Sequence, residues 1–290
     1  MKINKIRPQE NKFTEVLGTI ALKPEMLYYY GILPEKRVPT VGIVGSRRNT
    51  RYGEEVAYKL AYEVAKRGGI VISGLAYGID SVAHRGAVDA NGITIGILGT
   101  EIENIYPKAH IDLARKMINL GGAVMSEWKE GDELFPQKTS FLMRNRLISG
   151  LSDAVVVVEA ATKSGSLNTA MHALDQNKKL FAVPGNITNP YSQGCNMLIK
   201  EGAEPYTKPD DVLDILFPKP KLRKNSSQLE IFGDDEKETK ILQLLYQGIT
   251  DGEEITEKSE ISIEDFNQTI TILEIKGRVR SLGANQWTIS

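Results

Sequence analysis

Four short polar signatures contain the residues of this chain that could bind an anion. They are the runs Val44–Arg47, Ser73–Asp80, Arg144–Arg146 and Ser164–Leu167. Each falls near a point where a predicted strand ends and a predicted helix begins, where backbone N–H groups are unpaired and the helix dipole is positive. Glycine lets a phosphate approach the backbone, hydroxyl groups add donors, and arginines add charge. Such junctions gather along one edge of an open parallel sheet, so the four together predict a ligand with several phosphates.

The first signature places a hydroxyl group and a guanidinium directly after a glycine. For Gly45 alone, a tight turn between a strand and a helix is the better explanation. Ser46 and Arg47 favour a binding role, because both side chains would point over the sheet edge toward an anion. In the second signature, Gly74 lies at the matching position after the next strand, and we expect Asp80 to brace that loop.

The fourth signature follows the most apolar predicted strand and opens the next helix. A helix N-cap would explain one of its serines. It would not explain Lys163 and Thr169 in the same neighbourhood. We therefore predict that Ser164, Gly165 and Ser166 bind phosphate.

The third signature falls in a helix predicted from the apolar residues around it. Phe141 lies three residues from Lys138 and three from Arg144. This basic–aromatic–basic order suits single-stranded nucleic acid, with phosphates on the charges and a base stacked on the ring. A core position is the alternative for Phe141, and a solvated helix face is the alternative for one of the arginines. Asn145 lies between the two arginines and joins the candidate site.

Signals for catalysis are weak. The sequence contains no phosphate-binding P-loop, and the glycine spacing of a nicotinamide dinucleotide site fails. The three histidines do not show metal-ligand spacing with each other or with Cys195. Glu127 and Glu159 end strands, where an enzyme would place a carboxylate, but we expect them to accept hydrogen bonds from loop backbone or arginines. We predict no catalytic residue, no metal and no cofactor.

Composition excludes several classes of protein. The 290 residues are 41% hydrophobic and 25% charged, which gives room for a large core and a small second unit. No run of about eighteen apolar residues is present, and the start lacks a secretion signal. A single cysteine fits the reducing cytoplasm. The formal net charge is −1, so any nucleic acid must be bound by a local positive surface.

Residues 1–37 form a short lead-in, and residues 38–217 alternate between apolar runs and helical stretches. This alternation predicts an α/β fold, an extended Rossmann-like domain with a parallel sheet. Because Ala154–Val158 does not alternate in polarity, it should be a central strand buried on both faces. The predicted strands are Thr40–Val44, Gly69–Ser73, Ile93–Leu98, Ala123–Ser126, Ala154–Glu159 and Leu180–Val183.

Residues 218–232 combine prolines, serines and positive charges, which predicts a linker. Residues 233–290 show three helical patterns and a two-stranded hairpin, the order of a winged-helix-like domain. Its third helix begins with the acidic pair Glu264 and Asp265, where a DNA-reading helix needs basic or amide side chains. We therefore expect this domain not to be the main DNA reader.

Taken in order, the signatures resemble the bacterial DNA processing protein A family, DprA or Smf, from about Leu27 to Leu216. The resemblance implies a protein that binds and protects incoming single-stranded DNA, forms a homodimer and helps to load the RecA recombinase during natural transformation. Family members often have an arginine where this chain has Tyr77, which removes one positive charge from the rim. The matching motifs include Gly45-Ser46-Arg47, Ser73-Gly74-Leu75-Ala76, Gly78-Ile79-Asp80, Ile105-Tyr106-Pro107, Arg144-Asn145-Arg146, Ser164-Gly165-Ser166-Leu167 and Gly194-Cys195-Asn196.

An enzyme alternative comes from a fold relative, the nucleotide phosphoribohydrolases once described as lysine decarboxylases. Their Pro-Gly-Gly-x-Gly-Thr loop would occupy the place of Ser164–Thr169 and is followed closely by a catalytic glutamate. In this chain the following residues are Ala170, Met171 and His172. Without a carboxylate there, hydrolysis of an N-glycosidic bond lacks its candidate for general acid and base.

Overall fold

A computed structural model describes residues 2–132, 137–217, 235–283 and 285–289, with the side chains of residues 137 and 138 left aside. The chain divides into two compact units, with the boundary between residues 219 and 220. The predicted linker, residues 218–232, lies outside the described residues. No helix within the described ranges has the length and apolar character needed to cross a membrane.

The first unit is built from alternating strands and helices, as predicted for residues 38–217. Its strands are β1 (Asn4–Ile6), β2 (Leu27–Gly31), β3 (Thr40–Val44), β4 (Ile70–Ser73), β5 (Thr94–Ile97), β6 (Ala123–Ser126), β7 (Ala154–Val157), β8 (Lys179–Ala182) and β9 (Glu204–Pro205). Its helices are α1 (Arg51–Lys66), α2 (Ile79–Asp89), α3 (Ile111–Asn119), α4 (Gln137–Leu151), α5 (Gly165–Asp175), α6 (Gln193–Lys200) and α7 (Asp210–Leu216). The predicted fold class, an α/β domain with a mostly parallel sheet, is confirmed.

Within the described residues, one sheet has the strand order β1-β2-β6-β5-β4-β3-β7-β8-β9. Strands β3 to β9 pair in parallel, whereas β2 pairs antiparallel with β6 and with β1. The lead-in therefore supplies two strands, and its Phe13 and Leu17 are fully buried. The chain winds in opposite directions from β3 and from β7, which are neighbours. Ligands bind at this kind of switch point in open α/β sheets, beyond the carboxyl ends of the strands.

The centre of the sheet is buried on both faces. Val155 and Val157 pack with α4 and α5, while Ala154 and Val156 pack with α1 and α2 on the opposite face. This confirms the prediction for the non-alternating run. Arg144–Arg146 lies inside α4, as the helix predicted around it requires. It is therefore not at a junction between a strand and a helix, unlike the other three signatures.

The second unit has the winged-helix order of elements. Helices α8 (Glu236–Tyr246), α9 (Gly252–Ser259) and α10 (Ile263–Ile275) precede a hairpin of β10 (Val279–Gly283) and β11 (Gln286–Ile289). Its core includes Ile241, Phe266 and Leu273. Ile275 at the end of α10 is 81% exposed.

The start of α10 is acidic in structure as well as in sequence. Ser262 caps the helix by accepting a hydrogen bond from the Asp265 backbone N–H. The Asp265 carboxylate lies 2.8 Å from Lys237 Nζ on α8. Between residues 235 and 290 the sequence carries 11 acidic and 6 basic residues, a formal charge of −5. Long-range repulsion of phosphates should follow from this excess.

His84 on α2 is a fully buried neutral histidine below the strand ends. Thr94 Oγ1 donates to the Val71 carbonyl, so it accepts from His84 Nδ1, 2.7 Å away. This leaves the proton on Nδ1. His84 Nε2 has no hydrogen-bond partner within the described residues. Burial, followed by the charges of His110 and Arg144, lowers the pKa of His84 to about 3.

We predict that His84 makes the protein sensitive to mild acid. An unfolded histidine has a pKa near about 6.5, so the stability due to neutral His84 is present above that pH and is lost as pH falls toward the folded pKa. Urea unfolding between about pH 7 and pH 5 should show falling stability in the wild type and a smaller fall in His84→Leu. Equal slopes for the two proteins would contradict this assignment.

Candidate functional site

The carboxyl ends of β3, β4 and β7 form one edge, and the loops after them are tightly packed. The Ser46 carbonyl accepts the Ile79 N–H at 3.1 Å, which joins the loop after β3 to the start of α2. Gly78 has a φ of 77°, and an added Cβ would collide with that same carbonyl. Glycine is therefore required at this position. Ser46 Oγ accepts from the Arg48 N–H at 3.1 Å, which fixes the turn that presents Arg47.

Arg144 is buried under this edge and connects α4 to the strand ends. Its Nη1 donates to the Gly74 carbonyl at 2.7 Å and to the Ile97 carbonyl. Asp80 is also buried and accepts the Gly74 N–H at 3.1 Å. Burial lowers the pKa of Arg144 to about 10, against the opposing charge of Asp80. Burial raises the pKa of Asp80, and the charge of Arg144 counteracts that rise.

Gly74 lies against this buried pair. A Cβ at this position would lie 2.5 Å from Asp80 Oδ2 and 2.6 Å from the nearer Nη atom of Arg144. The space between backbone and pair is therefore too small for any larger residue. Gly74 shapes the site without lining the open cleft. The expectation that Asp80 braces this loop agrees with the observed hydrogen bond.

Helix α5 is held beside α4 by Asn145. Asn145 Nδ2 donates to the Gly165 carbonyl at 3.1 Å and to Asn168 Oδ1 at 3.2 Å. Ser164 is the N-cap of α5 and accepts the Ser166 N–H. The Ser164 and Ser166 hydroxyls lie 2.7 Å apart and share one hydrogen bond, so one O–H remains available to a ligand.

These loops enclose an open cleft with a cavity volume of about 390 Å³. Residues from all four predicted signatures contribute to it. Arg47 and Lys163 are exposed at its rim. Its lining includes Ser46, Arg47, Phe141, Arg144, Asn145, Lys163, Ser164, Gly165 and Ser166. Lys138 belongs to α4, but its side chain lies outside the described residues, so its place relative to the cleft stays a prediction.

Phe141 is partly buried at the rim of the cleft and is surrounded by charge. The guanidinium carbons of Arg47 and Arg144 lie 5.4 Å and 5.8 Å from the centre of its ring. Tyr106 approaches the same ring, with the two ring centres 5.9 Å apart. The sequence reasoning missed Tyr106 as a neighbour of this site, because nothing in its spacing links it to Phe141.

Both carboxylates at the ends of strands are occupied by structural partners. Glu159 accepts from the Thr50 backbone N–H at 2.9 Å and from the Thr50 hydroxyl at 2.5 Å, which fixes the start of α1. Glu127 forms an ion pair with Arg146 at 2.7 Å. Within the described ranges, Arg47 and Lys163 form no such ion pair. The rim therefore exposes positive charge, while the nearby acids are paired or buried.

No group of three or more His, Cys, Asp or Glu side chains in the described ranges could hold a metal ion. Cys195 is buried, and burial raises the pKa of its thiol to about 12. Such a thiol is a poor nucleophile near neutral pH. The hydroxyl groups, the exposed cations and the start of α5 in the cleft are suited to holding an anion.

The fold and the cleft define a class of protein: a parallel α/β domain with a phosphate-type site at its switch point, followed by a winged-helix unit. Family comparison agrees with this. The model of DNA recombination-mediator protein A matches residues 4–217, and the DprA winged helix domain matches residues 226–285. This chain belongs to the family of DNA recombination-mediator protein A.

Individual relatives show the same relationship. Protein Smf of Escherichia coli is 43% identical over 193 residues, which cover 67% of this chain and 51% of that protein. DprA of Bacillus subtilis is 39% identical over 217 residues, covering 74% of this chain and 71% of the relative. The chain thus spans only about half the length of the Escherichia coli protein.

Two solved structures are similar. DprA from Streptococcus pneumoniae superposes with a TM-score of 0.67 at 35% identity, covering 74% of this chain and 75% of that one. DNA processing protein A from Helicobacter pylori, whose structure concerns its single-stranded DNA binding mode, has a TM-score of 0.64 at 29% identity. The similarity covers 75% of this chain and 97% of the Helicobacter pylori chain.

We predict that Gly74→Ala destabilises the first unit, because the added methyl group forces the Arg144–Asp80 pair to move. Overpacking of this kind costs about 1–3 kcal/mol of the free energy of unfolding. Gly165→Ala is the matched control, since the nearest atom to its added Cβ would be 4.0 Å away. Thermal and urea unfolding should separate the two variants. Equal stability of both would contradict the packing argument.

Proposed function

We propose that this protein binds single-stranded DNA without strong sequence preference and catalyses no reaction on it. The observation that carries the proposal is the cleft at the switch point, with unpaired cations at its rim and its neighbouring carboxylates occupied. A parallel sheet gathers several backbone N–H groups and hydroxyls there, which suits successive phosphates. The single-stranded DNA binding mode of the Helicobacter pylori relative supports the same ligand.

We assign phosphate contacts to both sides of the cleft. On one side, Ser46 and Arg47 contribute a backbone turn and an exposed guanidinium. On the other, Ser164–Ser166 offers the N-terminus of α5 and one unshared hydroxyl proton. Lys138 is proposed to add charge at the rim. Arg144 lies beneath the cleft and is proposed to attract phosphates through its charge. Its Nε, which has no hydrogen-bond partner within the described residues, is a further donor.

We further propose that a base stacks on Phe141. Arg47 lies over this ring and has no competing ion pair in the described ranges. An exposed cation–π contact is worth only about 0.5–1 kcal/mol, so a phosphate can draw the guanidinium away from the ring. Binding would then exchange this contact for a charge-assisted hydrogen bond and uncover the ring for a base.

The contribution of Arg47 can be measured through salt dependence. Removing one phosphate contact to single-stranded DNA should reduce the magnitude of the slope of log K against log salt concentration by about 0.7. We expect Arg47→Ala to bind labelled oligothymidylate more weakly and with this flatter slope. Arg67→Ala is a suitable control, because Arg67 pairs with Asp210 away from the cleft. Unchanged affinity and slope in Arg47→Ala would refute the site.

The phosphoribohydrolase alternative is not favoured. Ala170, Met171 and His172, which follow the loop at the start of α5, carry no carboxylate. Asp80 accepts the Gly74 N–H and Glu159 accepts from Thr50, both in structural roles. Measuring free base released from nucleoside monophosphates separates the two functions. Turnover abolished by a cleft variant would establish an enzyme and end the proposal of a pure binding protein.

Family membership supports three further parts of the proposal. We propose that the chain acts in the cytoplasm, forms a homodimer, and protects incoming DNA while helping to load RecA recombinase during transformation. The domain limits proposed are a lead-in to residue 37, a DNA-binding domain to residue 217, a linker to residue 232 and a winged-helix-like domain to residue 290. Light scattering of the free protein, and RecA filament formation on coated single strands, test the dimer and the loading role.

We predict that the C-terminal unit contributes little to DNA affinity. Its formal charge of −5 between residues 235 and 290 opposes phosphate binding. A chain ending after Leu216 should retain most of the single-strand affinity of the full chain, while the isolated unit should bind weakly at physiological salt. Tight binding of duplex DNA by the isolated unit would show that the charge argument is wrong.

A further inference from the structure

Two exposed tyrosines lie on the same strand-end edge as the cleft, on the side away from β7. Tyr77 is in the loop after β4 and is 48% exposed, and Tyr106 is in the connection between β5 and α3 and is 40% exposed. Strands β4 and β5 are neighbours in the sheet. Nothing in the proposed phosphate contacts uses either ring.

Tyr106 continues the aromatic surface of the cleft outward. Its ring centre lies 5.9 Å from that of Phe141, and the two planes are inclined by 48°. Phe141 is approached by two guanidinium groups as well. Tyr106 is the more exposed ring of the two, so it offers a base more free surface than Phe141 does.

Tyr77 lies directly beside the cleft, because the preceding residue, Ala76, is part of the cleft lining. Its ring meets His110 edge to face, with ring centres 5.0 Å apart. His110 Nδ1 is in turn hydrogen-bonded to the Leu75 carbonyl at 2.8 Å. The Tyr77 ring is thus supported from one side by a residue that is itself fixed to the same loop.

The side chains around Tyr106 favour stacking of bases over contacts with phosphates. The connection that carries Tyr106 also contains Glu101, Glu103 and Lys108, so it adds no net positive charge. An aromatic side chain stacks any base through its π-face, and this contribution does not depend on the release of counterions. A surface of this kind extends a strand path without adding phosphate contacts.

We propose that Tyr106 and Tyr77 form an aromatic continuation of the cleft, on which bases of the bound single strand stack as it passes the ends of β5 and β4. This inference rests on the proposed function, since it assumes that a single strand occupies the cleft. In this chain, Tyr77 would therefore contribute a ring face at a position where the resemblance suggested only the loss of a charge.

The test compares Tyr106→Leu, Tyr77→Leu and the double variant with the full-length wild type. Binding of a long oligothymidylate should weaken by about fivefold to a hundredfold per ring lost, with an unchanged slope of log K against log salt. A short oligothymidylate that only fills the cleft should bind all four proteins equally. Tyr106→Phe and Tyr77→Phe keep the ring and should bind as the wild type does.

The possible outcomes separate a failure of this inference from a failure of the proposed function on which it rests. If the Leu variants bind long strands normally while Arg47→Ala flattens the salt slope, the continuation is wrong and the cleft stands. Equal losses for short and long strands, or losses in the Phe variants, would also overturn the continuation. If the wild type binds no single strand at all, the proposed function itself fails. Thermal unfolding of each variant checks that these exposed side chains leave the fold intact.

Discussion

The candidate site depends on two buried and oppositely charged side chains, Arg144 and Asp80, which are both hydrogen-bonded to the Gly74 backbone. One guanidinium joins α4 to the carbonyls that end β4 and β5, while its counter-charge lies on α2. Losing either partner would leave an uncompensated charge in the interior, which costs several kcal/mol. The three secondary-structure layers at the strand ends therefore keep one arrangement, and the cleft keeps its shape.

This arrangement divides the polar residues of the cleft into two groups. Arg144, Asn145, Asp80 and Glu159 hold elements together, whereas Arg47 and Lys163 are exposed and unpaired within the described ranges. The acidic side chains, Asp80 and Glu159, are thus engaged in structural contacts, and the exposed charged residues at the rim are positive. A site of this kind attracts polyanions although the whole chain has a formal charge of −1.

The two units carry charge of opposite sign. Residues 1–219 contain 27 basic and 24 acidic residues, a formal charge of +3, whereas residues 235–290 carry −5. The positive charge of the first unit agrees with its proposed role in binding DNA. The second unit keeps the winged-helix order of elements. The first turn of its third helix, α10, is acidic, and Asp265 there pairs with Lys237, whereas a DNA-reading helix has basic or amide side chains at this place.

The sequence by itself determined the six central strands, the order of their elements and most of the predicted residues that line the cleft. Apolar runs such as Ala154–Val158 can satisfy burial on two faces only as central strands, and glycine with hydroxyl groups after a strand predicts an anion-binding turn. Only the tertiary structure decided what each residue does there. Arg144 looked like a free charge, and its burial against carbonyls at the ends of β4 and β5, 70 and 47 residues away in sequence, gives it a bracing role. The contact between the rings of Tyr106 and Phe141 was also decided by the tertiary structure. It arises from the packing of a loop against a distant helix, which local sequence spacing does not encode.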